Sequence, residues 1–255
     1  MALYVGSATT SAFYVGAKTV SAIYLGSTQV WPSAAPSGPA LVNHYSATTT
    51  TASNANSVPG VTAAVGDVIV AACSTAIATT AKYITSVTDP AGNTWTMRQH
   101  IIGAAGTANS GAEIWTATVT AALSNATLTF NSSGGQSLGT YNVVVLSGVT
   151  ETGIVGTTAA AAGAQANSPA CNVTTTGPAA VVGCYTRGKD TVPDSGPGAG
   201  FTNLAAGSSS GASTTSDYGG AAYAIESAAG TYGPSWGMST DPARWALATV
   251  GLPSA

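Results

Sequence analysis

KYITSVTDPAGNTWTMRQHII, residues 82–102, is the stretch that decides the fold. Lys82 to Thr88 mixes β-branched and polar side chains, Asp89-Pro90-Ala91-Gly92-Asn93 is a run of turn formers, and Thr94 to Ile102 returns in extended form. Each turn residue has its own reason to be there. Pro presets φ at about −65°, Gly tolerates positive φ, and Asp and Asn side chains bond the nearby backbone. In the returning strand Trp95, Met97 and Ile101 fall on one face, with Thr94, Thr96, Arg98 and His100 on the other. No helical stripe bounded by caps competes with this reading.

The same pattern extends in both directions. Asp67 to Ser74 is apolar on both faces, as a central strand would be. Glu113 to Val119 puts Trp115, Ala117 and Val119 on one side, and Leu128, Phe130 and Tyr141 to Leu146 continue the series. The second half adds Ala179 to Tyr185, Gly220 to Glu226 and Arg244 to Leu252, where Trp245 and Leu247 alternate with Arg244 and Ala246. Short strands separated by turn signals predict an all-β, antiparallel β-sandwich of jelly-roll type over residues 41–255. An immunoglobulin-like or barrel topology is the alternative.

Composition narrows the function. Only 6% of the residues are charged, against about 25% in an average soluble protein, and the net charge is −3. The six Lys and Arg residues form no cluster that could neutralise phosphates, so nucleic acid is not an expected partner. No apolar run reaches the roughly 18–20 residues that span a bilayer, and membrane insertion is not expected. The start, Met1-Ala2-Leu3-Tyr4-Val5-Gly6, lacks a basic region and an apolar core, so the expectation is synthesis in a host cytoplasm without a secretory signal. Cys73, Cys171 and Cys184 lack CxxC spacing and read as buried free thiols, with a Cys171–Cys184 bridge left open.

The first 31 residues align on themselves with a period of ten. Leu3-Tyr4-Val5-Gly6 becomes Phe13-Tyr14-Val15-Gly16 and then Ile23-Tyr24-Leu25-Gly26, and Val30-Trp31-Pro32 closes the third unit. Each unit reads as a short strand, a Gly-centred turn and a second short strand. Units so small bury no core alone, so Tyr4, Gly6, Tyr14, Gly16, Tyr24, Gly26 and Trp31 are candidates for oligomerisation and anchoring, with a homotrimer as the expected state. Residues 32–40, with three prolines and no bulky side chain, form a spacer. The predicted order is therefore a repeat module at 1–31, a linker at 32–40 and a display domain at 41–255.

Residues 24–32, YLGSTQVWP, with their two degenerate copies, resemble a segment of tail and other virion proteins of bacteriophages that infect actinobacteria. That family usually has a basic residue where Gln29 stands. The runs VTDPAGNTWTMRQH, EIWTATVTAALSNATLTF and NVVVLSGV resemble hairpins of a sandwich domain in phage tail and bacterial surface proteins. These resemblances imply a non-enzymatic structural protein of a tailed-phage virion, tail-associated, in a minor tail or fibre role. Its implied partners are further copies of itself, the tail or major capsid protein, and a host cell-surface glycan. Capsid decoration on the head and a carbohydrate-binding adhesin are the competing readings.

Chemistry offers little. His44 and His100 lie on separate strands without a second ligand at metal spacing. Asp89, Glu113, Asp190 and Asp217 could supply the two carboxylates of a glycosidase, but no spacing selects a pair. Gly207-Ser-Ser-Ser-Gly211 lacks the strand and helix of a nucleophile elbow and reads as a loop. Asp89 and Asn93 suit either a Ca²⁺ ion or a hydrogen-bonded turn. The sequons at Asn125, Asn131 and Asn172 are expected by chance in a Thr-rich chain. No cofactor is implied. Charge being scarce, the loop Arg187-Gly188-Lys189-Asp190 is the candidate for a specific polar contact. Tyr218, Tyr232 and Trp236 could form an aromatic sugar platform, but core packing at a loop base is the reading preferred.

Overall fold

The structure, a computed structural model, describes residues 38–49, 53–77, 83–105, 108–133, 138–151, 159–163, 170–188, 195–208, 217–237 and 244–255, together with four strands in the first 31 residues. The chain divides into two compact units, Met1–Ser37 and Gly38–Ala255. All its described regular structure is strand, so no helix there could cross a membrane.

In the first unit β1 (Tyr14–Val15) pairs antiparallel with β2 (Lys18–Thr19), and β3 (Ile23–Leu25) with β4 (Thr28–Trp31). The register travels with the sequence period. Tyr14 faces Thr19 and Val15 faces Lys18; ten residues on, Tyr24 faces Gln29 and Leu25 faces Thr28. Trp31 closes the second pair opposite Ile23. Tyr4, Gly6, Gly16 and Gly26 lie outside the described residues.

The second unit begins with β5 (Ala40–Thr49), β6 (Ala55–Ala63), β7 (Val68–Ile77), β8 (Ile84–Thr88), β9 (Thr96–Ala105), β10 (Ala108–Thr118), β11 (Leu123–Ser132) and β12 (Leu138–Ser147). They form an antiparallel sheet in the order β5-β12-β7-β10-β9, faced by a smaller sheet β6-β11-β8. Then follow β13 (Ala159–Gly163), β14 (Val173–Thr175), β15 (Ala179–Gly188), β16 (Thr202–Ser208), β17 (Asp217–Glu226), β18 (Gly230–Tyr232) and β19 (Arg244–Pro253). These make a second large sheet, β13-β19-β15-β17-β16, and the pair β14-β18.

The two sets are copies of one framework. Counted from its own first strand, and with the fourth place of the second set left vacant in the count, each large sheet runs 1-8-3-6-5, and each small one joins strands 2 and 7. At the place of the fourth strand, β8 in the first copy, the described residues of the second hold the bridge Ser195–Gly237. Registers match as well. Cys73 pairs with Glu113 on one side and Tyr141 on the other; Tyr185 pairs in the same way with Gly220 and Leu247. Even the irregularity recurs, because the edge strand of each large sheet is bulged at the same step, beside Trp115 in one and Ala222 in the other. Residues 41–255, expected to form one sandwich, thus form two stacked ones.

The stack explains the apolar strand that is hydrophobic on both faces. Ile69, Ala71 and Cys73 of β7 pack toward the small sheet with Leu128, Phe130 and Val143, while Val68, Val70 and Ala72 meet Ala180, Val182, Ala248 and Val250 of the second copy. Across that interface β7 lies against β15, β12 against β17, β10 against β19, β5 against β16 and β9 against β13. Each strand therefore meets its partner's counterpart in reversed order, the pattern of a twofold interface within one chain. The sheets approach closely at Gly219, where an added Cβ would lie 2.5 Å from the Ser74 Cβ. Ser74 Oγ donates there to the Tyr185 carbonyl at 2.7 Å.

Two expectations from residues 82–102 are corrected. The strands flanking the Asp89–Asn93 turn are not a hairpin, since β8 pairs with β11 in the small sheet and β9 with β10 in the large one. The turn crosses between layers. Strict alternation in β9 also fails, because the bulge leaves Arg98 without an opposite residue between Met97 and Gln99. One extra residue inverts the faces beyond it. His100 then pairs with Glu113, and Ile101, placed with Trp95 and Met97 by simple counting, packs instead in the interface between the copies.

Candidate functional site

The expected surface contact resolves into a core. Arg187 and Tyr185 sit two residues apart on β15, on the face turned away from the first sandwich, and Trp236 covers that face. Arg187 is 0% exposed and Trp236 2%. The Tyr185 and Trp236 rings stack at 4.3 Å, and the Arg187 guanidinium lies 5.6 Å from the centre of the Tyr218 ring. A delocalised, weakly hydrated guanidinium suits such an aromatic setting better than an ammonium would. Tyr232 is half-buried and its hydroxyl donates to the Ala228 carbonyl at 3.1 Å. Arg187 and Trp236 therefore belong to the interior of the second sandwich and not to its surface. Lys189 and Asp190 lie outside the described residues. The sequence missed Tyr185 and Trp245, which pack in or against the same cluster.

Asp89 and Asn93 make a turn with no oxygen to spare. Asp89 Oδ1 accepts from the Ala91 N–H at 2.9 Å and from the Asn93 Nδ2 at 3.2 Å, while Oδ2 accepts from the Trp95 indole at 2.8 Å. Asn93 Oδ1 accepts from the Thr120 and Ala121 N–H groups, both at 2.9 Å. Gly92 adopts φ +75°, the conformation that Gly alone takes cheaply. Among the described residues no group of three or more His, Cys, Asp or Glu side chains could hold a metal ion. Beside the turn lies an open groove of about 560 Å³ lined by Pro90, Ala91, Leu123, Asn125 and Thr127, among others, with no ionisable side chain in its wall.

The unusual chemistry sits inside the first sandwich. Tyr141, Cys73, Glu113 and His100 occupy directly opposed positions on four neighbouring strands, one row on the face toward the small sheet. Glu113 is 0% exposed, and burial pushes its carboxyl up to about 8, against the pull of the Ile84 N–H and the nearby Trp115 indole. It accepts the Ile84 N–H with both oxygens, at 3.0 and 3.1 Å. His100 lies against the Tyr83 ring at 5.1 Å, its Nε2 is buried without a hydrogen-bond partner, and burial lowers its pKa. His44, by contrast, is exposed on β5.

All three cysteines are free and buried. Burial raises each thiol, with the Glu113 carboxyl adding to the rise at Cys73. A nucleophilic cysteine needs the opposite shift. At neutral pH the row is therefore a set of neutral groups: thiol, carboxylic acid and imidazole. The sequence did single out Glu113 and His100, but separately. Their adjacency depends on strand pairing, and the bulge at Arg98 hid it from counting.

No protein family, curated protein or solved structure matches the chain.

Proposed function

We propose that the chain is a non-enzymatic structural subunit of a tailed-phage virion, tail-associated, trimerised and anchored through its N-terminal repeats with the double sandwich displayed outward. The observation that carries this reading is the repeat of ten residues, in which β1-β2 and β3-β4 keep one register relative to Tyr14 and Tyr24. Hairpins of two to four residues per strand need neighbours to bury their apolar faces, and further copies of the same hairpins are the simplest source. The charge-poor composition suits a subunit packed among others. The order 1-8-3-6 over 2-7-4 supports a jelly-roll reading of residues 40–147, with the fifth strand moved to the other sheet.

Its partners on this reading are its own copies, a tail or capsid protein at the base, and a host cell-surface glycan. Immunogold labelling of intact particles with an antibody against the full chain tests the assignment. Label at the tail is expected. Label spread over the head would assign the chain to capsid decoration, and unlabelled particles would remove it from the virion. Sedimentation of the purified chain checks the trimer, which requires three times the 24.7 kDa of one copy.

A further inference from the structure

The two copies of the framework differ at the position of a buried acid, Glu113 in the first and Gly220 in the second. In the first copy β8 is a five-residue strand at the edge of the small sheet, bonded on one side only, to β11, with a register shift at its start. Its entry is held from the opposite layer. Glu113 of the large sheet accepts the Ile84 N–H, and His100 of the same sheet meets the ring of Tyr83. In the second copy the positions of Glu113 and His100 are taken by Gly220 and Ala206, which pair with each other as the acid and imidazole do. There the pairing described at the fourth position is the Ser195–Gly237 bridge, the counterpart of Val87–Phe130.

We propose that Glu113 and His100 form a proton-controlled latch that fastens β8 onto the first sandwich, and that loss of the Glu113 proton releases it. Among the described residues, the groups facing the carboxyl are Cys73 from β7, with Tyr141 beyond it on β12, His100 from β9, Tyr83 and the Ile84 N–H at the start of β8, and Trp115 on its own strand. Among these, no cation compensates the ionised form. A carboxylate left in that interior costs more than one hydrogen bond returns, so the ionised acid gains by reaching water. With β8 released, the edge of β11 and the Phe130 and Tyr141 rings, 5.0 Å apart, lose their cover. The second latch member acts in the other direction and more weakly, since burial disfavours the protonated form of the half-buried His100. The closed state therefore belongs to near-neutral pH, and the device is independent of where the chain sits on a particle.

Amide hydrogen exchange on the full chain, corrected for the intrinsic rate at each pH, reads the latch directly. Protection at Ile84–Thr88 is expected to fall by about tenfold per pH unit between pH 6.5 and 8 and to level off above, as release of one proton demands. Amides of the β7–β12 pair should hold their protection throughout. Glu113→Gln, which keeps an acceptor for Ile84 without a charge, is expected to flatten the profile. Glu113→Gly, which copies Gly220, should leave residues 84–88 poorly protected at every pH. Unchanged protection in the wild-type chain across this range, or an identical slope in Glu113→Gln, would overturn the latch. Should the variants fail to fold, the ¹³C shift of the Glu113 carboxyl in the wild-type chain decides: a midpoint near 8 supports the latch, and one near 4.5 sinks it.

Discussion

Glu113 shows how one residue sets the response of a domain to pH. Its folded pKa of about 8 lies above the ordinary value of 4.5, so the native state binds the proton more tightly than the unfolded chain. Stability from this group is complete below pH 4.5 and is lost as pH rises toward 8. At about 1.4 kcal/mol per unit the loss is up to about 5 kcal/mol. Urea unfolding at pH 5 and pH 8 should show it in the wild-type chain and not in Glu113→Gln. Asp89 is half-buried and its use is local, as the acceptor of the turn's N–H groups. Asp89→Ala strands the Trp95 indole and the Ala91 N–H and is expected to cost about 2–3 kcal/mol, read as a lower urea midpoint with an unchanged slope.

At the scale of elements, β7 and its counterpart β15 carry the fold, since each is flanked by two strands in its sheet and the two pack against each other between the layers. Ile69 is fully buried in the first sandwich, and Ile69→Ala should destabilise by about 2–5 kcal/mol through lost burial and the cavity left behind. Gly219→Ala tests the interface differently. The new Cβ would meet Ser74 Cβ at 2.5 Å and the Tyr185 carbonyl oxygen at 2.8 Å, and two packed sheets cannot yield locally. A lower thermal midpoint, worth about 1–3 kcal/mol, is expected. The bulge at Arg98 is likewise an element-scale device: it aims the guanidinium at Thr116 Oγ1, 2.6 Å away, and at Glu151, 3.1 Å away, and turns His100 inward.

For the whole molecule, the reversed stacking of the two copies has a consequence for its parts. A fragment of residues 38–151 would expose Val68, Val70, Ile114, Val144 and Leu146, all buried in the full chain against the second copy. Because that interface is twofold in pattern, the fragment should pair with itself back to back, and sedimentation should find a dimer. Residues 1–37 form a separate unit, so their removal is expected to leave the unfolding midpoint of the double sandwich unchanged while lowering the mass in solution.

Strand identity was legible in the sequence because period-two alternation and turn residues are local properties of the chain. The antiparallel all-β class followed from them, as did the apolar double face of Asp67 to Ser74 and the burial of the cysteines. The repeat of Tyr and Gly was equally plain, since identity at a fixed spacing needs no structure. Pairing was not legible. Whether two strands joined by Asp89–Asn93 bond each other or cross between layers depends on segments far along the chain. The doubling of the sandwich stayed hidden for a related reason: Cys73 and Tyr185, or Glu113 and Gly220, share a place but no chemistry, because a framework of backbone hydrogen bonds tolerates exchange of its side chains. Whether Arg187 and Trp236 serve a surface contact or the core stayed open in the sequence, for want of the sheet that buries them. Tertiary structure alone decided which polar residues are interior, and with that it turned Glu113 from one scattered acid into the group that holds β8.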